Sequence, residues 1–154
     1  MRKRFVIGLL LFILLFTYVS PRVQASAGMP PARSVTILAN GAMLIEGECV
    51  VNHMRGQTLT ASKPYYYRNA NGVTEWTATI TATFSYDGST SSCSASSCTT
   101  SVQHGNWSES ANSSSYAGNA AFANVIMVRK LLFIVVQTEN INLSLTCDAN
   151  GNVS

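Results

Sequence analysis

Residues 74–86 read Thr-Glu-Trp-Thr-Ala-Thr-Ile-Thr-Ala-Thr-Phe-Ser-Tyr. Trp76, Ala78, Ile80, Ala82, Phe84 and Tyr86 alternate with Thr77, Thr79, Thr81, Thr83 and Ser85. Successive side chains of an extended chain point to opposite faces, so this period of two puts the apolar residues on one side and the hydroxyls on the other. A helix would scatter the same residues around its circumference. The stretch is therefore predicted to be a long strand with one face on a core and one in water. Asn71-Gly72 before it and Asp87-Gly88 after it are dipeptides that supply the positive φ of tight hairpins.

Working outward, Ile141, Leu143, Leu145 and Cys147 repeat the alternation near the C-terminus, and Phe122 to Val128 is a β-branched run suited to a strand. With Arg129 to Phe133 as the turn, these predict a long antiparallel hairpin ending in the polar tail Asp148 to Asn152. Its apolar tip, Leu131 to Val136, is expected to pack back on the body, because exposed apolar patches are uncommon. Val35 to Leu38 and Ala42 to Val51 flank Asn40-Gly41 as a second hairpin, and Tyr65 to Tyr67, after Pro64, reads as a short strand. Residues 88–119 are rich in Ser and Asn: 12 Ser and 3 Thr fall among the 27 residues 89–115. Composition so biased predicts loops around one irregular strand near Thr99 to His104. Many short strands, frequent turns and no sustained helical period place the chain in the all-β class. The expected architecture is an antiparallel two-sheet sandwich, Ig-like in general architecture, preceded by a helical signal peptide.

That leader is read from Arg2-Lys3-Arg4, the apolar run Phe5 to Phe16 and the small polar residues that follow. Residues 1–25 are the expected signal peptide, cleaved after Ala25 or alternatively after Ala27, and 26–154 the single β-rich domain. Even extended to Val19 the run is shorter than the ~17–25 residues that span a bilayer. Val125 to Val136 is broken by Arg129 and Lys130, so no stable membrane span is expected after cleavage. The 154-residue chain carries 10 Lys+Arg against 7 Asp+Glu, but Arg2, Lys3, Arg4 and Arg22 precede residue 26. Six bases against seven acids remain, which excludes a basic nucleic-acid surface.

Four cysteines in an exported chain read as two disulfides. Linking Cys93 to Cys147 closes a long loop, worth ~3–5 kcal/mol in the chain-entropy picture, and leaves Cys49 with Cys98. A zinc site using His53 or His104 lacks a second close cysteine pair. Neither histidine sits in a nucleophile motif, and no Gly-x-Ser-x-Gly elbow occurs. Glu46 and Glu48 share one side of a strand and read as a solvated edge. Asp148-x-Asn150-x-Asn152 begins like a calcium loop but has Val153 where the glycine belongs. The Thr77 to Thr83 row could order water only with further rows stacked beside it. Trp76 belongs to the core; Trp107, in the Ser/Asn-rich segment, is the candidate contact residue, since exposed indoles stack on sugars and anchor partners. Asn106, Asn112, Asn142 and Asn152 open glycosylation patterns, as expected in a chain rich in Asn and Ser. No catalytic residue, metal or cofactor is expected.

Thr77 to Cys93, Trp107, and the hairpin ending Asn142-Leu-Ser-Leu-Thr-Cys147 resemble small secreted β-rich proteins of clostridia and related Gram-positive bacteria. The resemblance covers about the last eighty residues, leaves out Cys49 and Cys98, and implies export and a β fold but no functional site. The resulting expectation is a secreted, non-enzymatic β-sandwich that binds an extracellular protein or glycan. The alternative is a secreted antagonistic peptide or small toxin whose Leu131 to Val136 tip acts on a membrane or partner.

Overall fold

The alternating stretch is a strand over the whole of Thr74–Tyr86, the fifth of nine. In chain order these are β1 (Ser34–Ile37), β2 (Met43–Glu46), β3 (Val50–His53), β4 (Thr58–Arg68), β5 (Thr74–Tyr86), β6 (Ser91–Val102), β7 (Trp107–Ala117), β8 (Ala120–Leu131) and β9 (Ile134–Thr146). The computed structural model describes residues 34–154, among which there is no helix. The leader read at 1–25, with its cleavage after Ala25 or Ala27, lies outside the described residues.

All pairings are antiparallel. One sheet runs β1-β2-β4-β5-β6 with β3 also on β4; the other runs β7-β8-β9. β2 pairs with Tyr65–Arg68 and β3 with Leu59–Ser62, so the two occupy successive halves of the same edge of β4. Their pairing slips by one residue across Gly47–Cys49, which makes them one bulged strand. The interruption lies opposite Pro64, whose carbonyl accepts a bond from the Gly47 amide at 2.8 Å. Proline has no N–H to donate on that edge, so an interior proline is tolerated where the ladder is already broken. Only glycine fits at 47, because a Cβ there would stand 2.8 Å from the Pro64 ring and 2.9 Å from Tyr66.

Both sheets feed one core. The inward faces are Leu59, Ala61, Tyr65 and Tyr67 on β4, Trp76 to Phe84 at even positions on β5, Ala121 to Met127 on β8 and Ile141 to Leu145 on β9. The Trp76, Phe84 and Ile80 side chains are fully buried, each worth ~1.5–3 kcal/mol of apolar burial. One inward position is charged: Lys63 lies between Ala61 and Tyr65, 5% exposed, and is ion-paired with Glu46.

Three expectations are corrected. The Tyr65 to Tyr67 strand is the end of the eleven-residue β4, which Lys63 and Pro64 conceal in the sequence. The Ser/Asn-rich segment, expected as loops around one irregular strand near Thr99 to His104, is two long strands, β6 and β7, joined by a tight turn at Gln103–Asn106. Serine carries no apolar alternation to read, and β7 beyond Trp107 is exposed on nearly every residue. Its side chains have another use. Among the described residues β6 and β7 meet through side chains: Asn112 donates to the Cys98 carbonyl at 3.1 Å, Ser114 to the Ser96 carbonyl at 3.1 Å, and Thr100 to the Glu109 carboxylate at 2.6 Å. A seam of polar side chains thus stands where the two sheets adjoin. Third, the β8–β9 tip does not pack back on the body.

Candidate functional site

Antiparallel strands that follow chain order bring alternate turns to the same end. The β1–β2, β4–β5, β6–β7 and β8–β9 turns gather at one pole, where Lys130 N–H donates to Asn106 O and Gln103 N–H to Glu75 O. The β8–β9 hairpin extends beyond its neighbours there. Trp107, the first residue of β7, pairs with Arg129, so β8 has no β7 partner past that point. A register shift between Arg129 and Lys130 leaves Val136 as an extra residue, and the ribbon beyond it pairs Lys130 with Val135 and Leu131 with Ile134. Three residues of extended chain from Arg129 to Leu132 carry the tip ~10 Å outward.

All six residues Leu131–Val136 are exposed, Leu132 by 83% and Phe133 by 98%. The turn residues Leu132 and Phe133 have φ of 48° and 70°. Two successive positive φ angles define the type I′ hairpin turn, which Asn-Gly fills without strain. Leucine and phenylalanine in that conformation cost ~1 kcal/mol or more each, and nothing in the fold covers their side chains. Arg129 and Lys130 stand exposed at the base of the tip.

Beside that base is an open polar cleft of about 310 Å³ lined by Asn40, Tyr67, Asn69, Glu75, Arg129 and Gln137. The alternation of β5 would turn Glu75 to solvent with Thr77. A bulge prevents this: Tyr67 pairs with Trp76 and Arg68 with Thr74, so Glu75 is unpaired and its side chain swings inward. There it accepts from Trp107 Nε1 at 2.8 Å and from Asn69 Nδ2 at 3.1 Å. Glu139 Oε1 accepts from Gln137 at 2.8 Å, Asn40 at 3.0 Å and the Tyr67 hydroxyl at 3.4 Å, which ties the sheets together at this pole. Burial raises the Tyr67 phenol above its ordinary pKa, against the bond from Asn40. Sequence reading missed the cleft because its donors come from five separate turns and strands, and Glu75 is turned into it by a bulge.

Trp107, expected at the surface, is 6% exposed. Its ring meets Tyr67 and Trp76 edge-on, with centroids at 5.2 and 6.1 Å, while Tyr67 stacks on Trp76 at 4.9 Å. It pins the start of β7 to the core and leaves no face for a ligand. The cysteines carry no disulfide among the described residues. Cys93 and Cys147 are buried thiols flanking the β7–β8 turn, where their amides bond Gly118 O and Asn119 O. The expected pairing of Cys49 with Cys98 does not fit the topology. Cys49 precedes β3, and β4 and β5 separate β3 from β6, three strand spacings or ~14 Å, beyond the reach of a disulfide. Burial, then the Glu109 charge, pushes the Cys98 thiol up to about 11.

The remaining candidates are dispersed. His53 Nδ1 lies 3.4 Å from the Tyr86 hydroxyl at the opposite pole, and His104 sits in the β6–β7 turn. Glu46 holds Lys63, whereas Glu48 is exposed within the bulge. Asp148 spends its oxygens on its own turn, accepting from the Asn150 and Asn152 amides at 2.8 and 2.9 Å. No group of three or more His, Cys, Asp or Glu that could hold a metal occurs among the described residues. The threonine row is not single: Thr77, Thr79 and Thr81 stand opposite Ser101, Thr99 and Ser97, and Thr81 also opposite Ser62. Part of this array bonds to itself, as Ser62 with Thr81 at 2.9 Å. Comparison with protein-family models, curated proteins and solved structures finds no match.

Proposed function

We propose that the chain is exported and acts outside the cell as a non-enzymatic β-sandwich that works by surface contact through the β8–β9 tip. The observation that supports this reading is the tip itself: six exposed apolar residues on a ribbon that leaves the body, closed by a turn whose residues suit neither its conformation nor water. Such a combination lowers both stability and solubility, so its use lies in what it touches. The two sheets around one core support a sandwich, and the likeness to an Ig domain is one of general layering, since the strands follow chain order. The leader at 1–25 supports export.

The test compares the protein with a Leu132→Asn/Phe133→Gly variant for co-sedimentation with bacterial cell envelopes, with the N-terminus of the recovered chain read by mass spectrometry. Binding by the parent and its loss in the variant, with residue 26 or 28 first, is the expected result. Equal sedimentation of the two proteins removes the tip from the reading, and a chain retaining Met1 removes export. The second reading, an antagonistic peptide or small toxin, is favoured by the same exposed tip and predicts growth inhibition that the variant lacks.

A further inference from the structure

We infer that the β8–β9 tip docks on an anionic phospholipid bilayer, with Leu131–Val136 entering the interface and Arg129 and Lys130 held at the headgroups. The inference depends on the tip being the contact and names its partner. Chemistry narrows the occupant. The six side chains hold no donor or acceptor, which makes them a poor surface for a glycan. A protein partner covers one face of a two-stranded ribbon and leaves the other polar, whereas here successive residues from Leu131 to Val136 are all apolar and exposed, so both faces need an apolar solvent. A bilayer interface supplies that on every side, and the ~10 Å reach of the tip matches the depth to which apolar elements enter it.

Charge selects the surface. Arg129 and Lys130 lie where the ribbon leaves the body, and no Asp or Glu occurs between Glu109 and Glu139. Glu139, the nearest acid along β9, is engaged by Asn40, Gln137 and Tyr67. The rest of the described chain carries three bases, Arg55, Lys63 and Arg68, against seven acids, so attraction to an anionic leaflet rests on the basic base of the tip and not on the net charge of the body.

The experiment uses the full chain as its host processes it, with vesicles of phosphatidylglycerol and phosphatidylcholine or of phosphatidylcholine alone. A Phe133→Trp variant is expected to show a blue-shifted emission with the anionic vesicles only. Arg129→Gln and Lys130→Gln are each expected to weaken binding about fivefold, and together about 25-fold. Leu132→Asn/Phe133→Gly, which relaxes the turn and keeps the fold, is expected to abolish it. Emission at position 133 that no anionic vesicle changes overturns the lipid assignment. If, in that case, the parent self-associates by sedimentation velocity and Leu132→Asn/Phe133→Gly is monomeric, the tip is a contact for a second copy, and the contact reading stands without the lipid. If the two proteins also sediment alike and bind envelopes alike, both readings fall.

Discussion

Lys63 occupies an inward position of β4 that the pattern of its neighbours reserves for an apolar side chain, and its ammonium is kept there by Glu46. Removing the acid strands a buried charge, whereas removing the base leaves a carboxylate that still reaches water. Glu46→Gln is therefore expected to cost about 3 kcal/mol and Lys63→Met less, read from urea denaturation. At Cys98 the thiol is held neutral by burial and by Glu109. Its alkylation by iodoacetamide is expected to stay slow at pH 8 and to accelerate only as pH approaches 11. Glu75 shows where residue-level reading stops. Strict alternation assigns it to the wet face with Thr77, and only the bulge opposite Tyr67 and Arg68 turns it toward Trp107. A bulge is set by pairing between strands, which the order of residues within one strand does not record. Trp107 was misjudged for the same reason: a tryptophan among serines looks exposed until its acceptor is in place.

Among the elements, β5 was legible to its ends because Thr and apolar residues alternate without a break and turn dipeptides bound it. β6 and β7 were not, since a strand whose outward neighbours are all serine carries no contrast between faces. The β8–β9 hairpin was legible in its body and misread at its tip. Alternation there gives way to six apolar residues in a row, which in a soluble chain usually signals burial, and the fold offers nothing to bury them. The turn supplies a prediction at this scale. Leu132→Asn/Phe133→Gly replaces two strained residues with the pair that a type I′ turn favours, and it exposes less apolar surface. The variant is expected to be more stable than the parent by about 1–2 kcal/mol in chemical denaturation, while losing the proposed contact. A loss of stability would show that the tip is held by the body after all.

At the scale of the whole molecule, the two poles differ in chemistry. The pole opposite the tip is closed by carboxylates that cap turns: Asp87 accepts from the Thr90 and Ser89 amides, and Asp148 from the Asn152 side chain and amide. These bonds hold both carboxyls below the ordinary range. The unfolded chain takes up those protons more readily, so the contribution is present above the unfolded value of about 3.9 and is lost as pH falls through the lower folded values. Thermal melts are expected to show Tm falling below about pH 4, with a shallower fall in Asp87→Asn/Asp148→Asn, because asparagine keeps the acceptor without the proton. The β6–β7 boundary has a different consequence. Strands β6 and β7 lie side by side without a shared amide ladder, and the bonds across this boundary run from side chains to carbonyls, which leaves the N–H groups on the facing edges outside any ladder. In deuterium exchange these amides are expected to label well before those between β5 and β4 or between β8 and β9, which open only with global unfolding. Protection is therefore expected to divide into two blocks, one for each sheet, with the boundary along β6 and β7.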